Sequence, residues 1–209
     1  MANHLYLAID PSFRRTGFSY FLNSRIVISQ IETQTKEASL ADYYNTSTII
    51  VNKLASSLPA YDSASIVIEA PPPVSQFSAG LYMLVALLID NLLTTPHTKL
   101  YTLPTAITRT IYGARSIHKT DLKNFAEKLH TLNLHLPSQH LRNDGTLHNV
   151  EKWSRIPHDS AESYIMLLYL LDQRLLHAAQ EDSFDIRPAS EKGVLSERWK
   201  WRGIEVTRG

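Results

Sequence analysis

Short apolar runs and longer amphipathic stretches succeed one another along the first hundred residues. Leu5-Tyr6-Leu7-Ala8-Ile9 reads as a buried strand, and it ends at Asp10-Pro11-Ser12, through which a strand does not readily continue. A second run, Gly17 to Leu22, and an alternating one, Arg25 to Glu32, follow, with Asn23-Ser24 as the turn between them. Three antiparallel strands therefore open the chain. The period then lengthens. Ser39 reads as an N-cap, and Leu40, Tyr43, Ser47, Ile50, Leu54 and Leu58 form a helical stripe closed by Pro59. Ser65 to Ile68 is short, β-branched and apolar, and it too runs into a carboxylate, Glu69, ahead of Ala70 and three prolines. A helix that crosses over and returns to the same sheet makes this strand parallel to the first, so Asp10 and Glu69 fall at one edge.

Leu81, Leu84, Val85, Leu88, Ile89 and Leu92 form the core stripe of a second helix, which Tyr82, Met83, Ala86 and Leu87 make apolar on its other face as well. Such a helix is either central or meets a second subunit. Lys99 to Leu103 reads as a last strand, Thr105 to Tyr112 as a short helix, and Thr120 as the cap of a helix carrying Leu122, Phe125, Ala126 and Leu129. Leu132 to Arg155 is polar, rich in His and loop-like, and a strong helix runs from about Asp159 to Ala179. Strict alternation in the first strand places Tyr6, Ala8 and Asp10 on one face and Leu5, Leu7 and Ile9 on the other, both largely apolar. Asp10 thus emerges at the carboxyl edge of a sheet covered on both sides, where open α/β sheets place their chemistry.

Composition narrows the class. The chain has 209 residues, 44% hydrophobic content and no cysteine, which suits a domain that folds without disulfides in a reducing, intracellular, cytoplasmic setting. A net charge of +1 is uninformative, but its distribution is not. Residues 99 to 156 carry 9 Lys and Arg against 4 Asp and Glu, and the end of the chain is basic again, with Trp199 and Trp201 interleaved.

The acids are the chemical signal. His158-Asp159-Ser160-Ala161-Glu162 starts the last helix with carboxylates at i and i+3, about 5 to 6 Å apart on one face. Taken singly, each acid has an ordinary role, Asp159 and Glu162 as helix-start residues and Asp10 as a turn acid. Taken as a set of four, converging acids persist only if cations neutralise them, and all-oxygen ligands select Mg²⁺ or Mn²⁺ over zinc. His130, His135, His140 and His148 lack zinc-finger spacing.

Three blocks carry a resemblance: LAIDPSFRRTGFSYF, IVIEAP and HDSAESYIMLLYLL. Together they resemble the RuvC-type Holliday junction resolvases of the RNase H-like superfamily. The resemblance implies an α/β RNase H-like fold, a five-stranded mixed sheet of three antiparallel and then parallel strands flanked by helices. It implies a nuclease domain over residues 1–180, leaving 181–209 as a basic, Trp-containing tail. Two Mg²⁺ ions held by Asp10, Glu69, Asp159 and Glu162 are implied, with Mn²⁺ able to substitute, and Lys119 falls on a catalytic lysine. Arg14, Arg15, Arg109, Arg115, Lys119 and Lys123 are the expected DNA contacts. The implied substrate is a four-way or branched DNA junction, and the implied assembly is a homodimer. Glu162 departs from the family's usual aspartate, and Pro72 stands where an aromatic often wedges the junction, a part that Phe77 could take. A non-catalytic junction-binding protein and an RNase H-like hybrid nuclease are the alternatives. The hybrid nuclease takes an acid from the first crossover helix, where Glu37 and Asp42 are the nearest.

Overall fold

A computed structural model describes residues 3–34, 39–70, 78–95, 97–104, 119–132 and 138–171. The opening meander is as the pattern predicts: β1 (His4–Asp10), β2 (Arg15–Leu22) and β3 (Arg25–Glu32) pair antiparallel in turn. Asn23 and Ser24, at φ of 50° and 61°, make the two-residue turn whose left-handed backbone matches the twist of its strands. Helix α1 (Leu40–Ser57) starts at Ser39, whose hydroxyl accepts from the Asp42 amide at 3.2 Å and donates to the Asp42 carboxylate at 2.7 Å. Strand β4 (Ser63–Ala70) returns parallel to β1, with Leu7 opposite Ile66 and Ile9 opposite Ile68. Helix α2 (Ser78–Leu92) leads to β5 (Thr98–Pro104), parallel to β4.

The last third departs from the expectation of a loop. After α3 (Lys119–Leu132), residues Ser138–Leu141 form β6 and Leu147–Asn149 form β7, and a 3₁₀ turn, Trp153–Arg155, precedes α4 (His158–Leu171). The hairpin attaches to the free edge of β3, with β6 parallel to it, giving seven strands in the order β5-β4-β1-β2-β3-β6-β7. Two strands of four and three residues are too short to write an alternating pattern, and all three β7 positions are exposed, so no apolar face marks it. Backbone pairing to β3 holds the hairpin there.

The sheet is covered on both faces, as the alternation in β1 requires. Leu5, Leu7 and Ile9 join Ile50, Leu54, Leu84 and Leu88 in a core beneath α1 and α2. Ala8 and Val67 belong to the opposite core, beneath α3 and α4, with Leu122, Phe125, Trp153 and Tyr164. Helix α2 buries Leu84, Val85, Leu88 and Leu92 and leaves Tyr82 about half exposed, so the described residues cover it mainly on one side. Among the described residues no helix is long and apolar enough to cross a membrane.

Candidate active site

Strand periodicity decides which core the acids border. Asp10 follows Ala8 by two residues and Glu69 follows Val67 by two, and both reference residues lie in the α4-side core. With β1 and β4 parallel neighbours, the two carboxylates reach the same edge and the same face. Asp10 is buried, and its carboxyl is held well above the usual aspartate range. Desolvation is the largest cause, followed by the negative charge of Glu162, then the charge and a side-chain hydrogen bond of Glu69, then the charge of Asp159. Three acids, from β4 and from two positions of α4, thus act on a fourth.

A glycine lets α4 come close enough to do this. On β2, Gly17 pairs with Asp10 itself. A Cβ built on Gly17 would lie 2.1 Å from the Asp159 carbonyl oxygen, 2.3 Å from its carbon and 2.9 Å from the Ser160 nitrogen. Any side chain there would displace the first turn of α4. Two residues along β2, buried Ser19 meets buried Ser163 of α4 with their hydroxyl oxygens 2.8 Å apart. The Ser163 hydroxyl also donates to the Ser160 carbonyl at 2.9 Å, and the Ser160 hydroxyl donates to the Ser29 carbonyl on β3 at 3.0 Å. The Ser29 hydroxyl donates in turn to the Leu141 carbonyl of β6 at 2.8 Å. Small, internally satisfied residues therefore face the sheet from Ser160 and Ser163, while Asp159 and Glu162, each one residue earlier, carry the acids. Sequence reasoning read Gly17 only as part of the Thr16-Gly17 turn and passed over the four serines. The signal was present as Gly-x-Ser on β2 facing Ser-x-x-Ser on α4.

All donors in this cluster are carboxylate oxygens, the chemistry that hard divalent cations require. Among the described residues no three His, Asp or Glu side chains are already gathered into a coordination sphere, so the convergence is one of charge and hydrogen bonding.

Of the expected cations, two lie at this edge of the sheet. Arg14 and Arg15 lie in and just after the β1–β2 turn, both exposed, and Arg15 Nε is 3.8 Å from a Glu32 carboxylate oxygen. Lys119 is the first residue of α3. Lys123, one turn on, donates from Nζ to the Ser154 carbonyl at 3.1 Å. Phe77, Arg109 and Arg115 lie outside the described residues, as do Pro72, the helix expected from Thr105 to Tyr112 and the whole tail 181–209. Asp42, the acid a hybrid nuclease would take from the first helix, is engaged in capping α1.

No family model and no curated protein matches the sequence. Solved structures do match. The yeast mitochondrial Holliday junction resolvase Ydc2 is 13% identical over 83% of this chain and 80% of its own, with a TM-score of 0.50. RuvC of T. thermophilus, in complex with a Holliday junction substrate, is 10% identical over 82% of this chain and 96% of its own, with a TM-score of 0.47. The Mn-soaked human cytomegalovirus terminase nuclease domain is 13% identical over 83% and 85%, with a TM-score of 0.49. The fold is that of the RNase H-like nucleases. Its mixed sheet extends the five expected strands by the β6–β7 hairpin.

Proposed function

We propose that this chain is a divalent-metal-dependent endonuclease that hydrolyses phosphodiesters in four-way or branched DNA. The observation that carries the reading is buried Asp10 at the sheet's carboxyl edge, its carboxyl pushed upward in pKa by burial and by three acids from two other elements. Asp10, Glu69, Asp159 and Glu162 would hold Mg²⁺, two ions per site, with Mn²⁺ able to substitute. When bound, the ions neutralise the acids, lower the pKa of an attacking water and stabilise the leaving 3′ oxygen. Asp10, on which the other three acids act, would be the central ligand. Glu162, one methylene longer than an aspartate, would reach the site from three residues beyond Asp159 on α4. Lys119 would carry charge that builds on the scissile phosphate, Arg14, Arg15, Arg109, Arg115 and Lys123 would position the backbone, and Phe77 would open the junction. The fold shared with a mitochondrial Holliday junction resolvase supports the choice of branched DNA. Capping of α1 by Asp42 speaks against the hybrid-nuclease alternative, and four intact acids speak against a non-catalytic binder.

Two symmetric cuts call for two sites, so the working unit is a homodimer, with Leu81 to Leu93 and exposed Tyr82 as its interface. The deciding experiment incubates the protein with a synthetic four-way junction, a linear duplex and an RNA/DNA hybrid in Mg²⁺. Preferred, paired cutting of the junction supports the reading. Equal cutting of the linear duplex would remove the branch preference, and preferred cutting of the hybrid would transfer the assignment to the hybrid-nuclease class.

A further inference from the structure

At the same sheet edge, on the α1 side, opens a cleft of about 1000 Å³, lined in part by Arg14, Arg15, Glu32, Gln34, Ile49 and Lys53. Three elements build it: the β1–β2 turn, the end of β3, and α1, on which Ile49 and Lys53 are four residues apart and share one exposed face. The turn is braced. Phe13 is buried with its ring 5.1 Å from that of Tyr43, the Thr33 hydroxyl donates to the Phe13 carbonyl, and the Thr33 amide donates to the Arg14 carbonyl at 3.2 Å. From the other side the Thr16 hydroxyl donates to the Ser12 carbonyl at 2.6 Å. Arg14 and Arg15 are therefore displayed from a fixed backbone.

The charge balance is cationic. Glu32 is the one acid among the described lining residues, and its carboxylate already accepts from Gln30 at 2.6 Å beside Arg15. Lys53 spends one ammonium proton on the Glu32 backbone carbonyl at 3.2 Å and has two more to donate. Ile49, 48% exposed, stands in the wall among these cations. Cations around an apolar side chain match a ligand that alternates phosphate with sugar, and match a free anion poorly.

We infer that this cleft binds the sugar–phosphate backbone of the nucleic acid strand next to the scissile bond, with Arg14 and Lys53 on phosphates and Ile49 against a sugar. The inference rests on the nuclease reading and adds α1 to the substrate path. It also fixes a route. Lys53 lies on the α1 side of the sheet and the acids on the α4 side, while Arg15, two residues beyond the Gly17 that pairs with Asp10, sits roughly 7 Å further along β2. A strand that reaches both sites crosses the sheet edge over Arg15.

The test measures binding of a labelled four-way junction by anisotropy in Ca²⁺ across a salt series, and single-turnover cleavage in Mg²⁺ at saturating DNA. Wild type, Arg14→Ala, Lys53→Ala and Lys53→Arg are compared with Arg25→Ala at the opposite end of β3. Arg14→Ala and Lys53→Ala should each weaken binding several-fold and lower the salt slope by about one. Lys53→Arg should restore binding, and Arg25→Ala should match wild type in both binding and cleavage. The inference is overturned if Arg14→Ala and Lys53→Ala bind with wild-type affinity and slope while wild type cuts. It is equally overturned if inorganic phosphate at matched ionic strength displaces DNA from wild type but not from Lys53→Ala, which would make the cleft a free-anion site. Wild type that neither binds nor cuts any DNA overturns the nuclease reading as well, so the two failures are distinguishable.

Discussion

Replacing Gly17 by alanine tests whether close backbone approach is what assembles the acids. The added Cβ would begin 2.1 Å from the Asp159 carbonyl oxygen, against about 3.4 Å for ordinary contact, so something must move by about 1.3 Å. Both partners are backbone, one in a central strand and one in the first turn of α4, and no side chain can swing aside to relieve the clash. Overpacking of this kind costs about 1–3 kcal/mol, and for a chain of this size each kcal/mol lowers Tm by about 2–4 °C. The larger consequence is catalytic. Pushing α4 outward carries Asp159 and Glu162 away from Asp10, and a misplacement of about 1 Å in a catalytic constellation can cost about a hundredfold in rate. Gly17→Ala should therefore remain folded at 20 °C yet cleave a four-way junction about a hundredfold more slowly in single turnover, with its Mn²⁺ affinity reduced in parallel. Gly80→Ala is the comparison, because the three atoms nearest its Cβ would all be ring atoms of Tyr43 and Phe13, the closest at 2.6 and 2.9 Å. It should lose stability without the hundredfold rate loss. A Gly17→Ala protein that melts lower but cleaves and binds Mn²⁺ as wild type would refute the reasoning.

Asp10→Asn should abolish cleavage, by about a thousandfold or more, while leaving the fold intact. Its stability should depend on pH in a fixed sense. The folded-state pKa of Asp10 lies above its unfolded value, so the wild type loses stability as pH rises from about 4 through the folded pKa, and Asn loses none. In chelator at neutral pH the variant should then melt above wild type and the two should converge near pH 3; a variant that melts below wild type in chelator at pH 7 would count against the crowding of acids. Adding Mn²⁺ should reverse the order, since a ligand at a hundred times its Kd contributes about 2.7 kcal/mol to the protein that binds it. Ser163→Ala breaks the contacts to Ser19 and to the Ser160 carbonyl, and should lower stability by about 1 kcal/mol with a measurable fall in turnover; unchanged single-turnover rates would show that the serines hold the helix without aiming its acids. Lys119→Ala should lower turnover far more than affinity, and the opposite pattern in gel-shift and cleavage assays would remove it from the transition state.

How much of this was visible in the chain depended on burial. The strands β1 to β5 wrote their positions in apolar runs because both faces of the sheet are covered, and the alternation Tyr6-Ala8-Asp10 correctly separates the α4-side face from the face of Leu5, Leu7 and Ile9. The four acids were legible because each interrupts or caps an apolar element. What stayed hidden is polar or small. Gly17, Ser19, Ser160 and Ser163 look like surface residues in a sequence, yet they fill the tightest contact in the site, and only the pairing of two distant segments reveals it. The β6–β7 hairpin was hidden for a different reason: its outer strand faces solvent and its inner strand borrows the edge of β3. Lys53 drew no notice on an amphipathic helix, because its role depends on the turn that folds over against it.

The chain of serine hydroxyls gives that hairpin a further meaning. Leu141 of β6 accepts from Ser29, and Ser29 accepts from Ser160 one residue beyond Asp159, so the outermost part of the sheet and the acid-bearing turn are joined through two hydrogen bonds and a strand. Melting of the hairpin would not stay local. It would strip a partner from Ser29 and loosen the footing of α4, so β6 and the first turn of α4 should open together as one cooperative unit in hydrogen exchange. On that view the edge extension acts as a stay, and the precision of the carboxylates is set partly by a piece of sheet three strands away from Asp10.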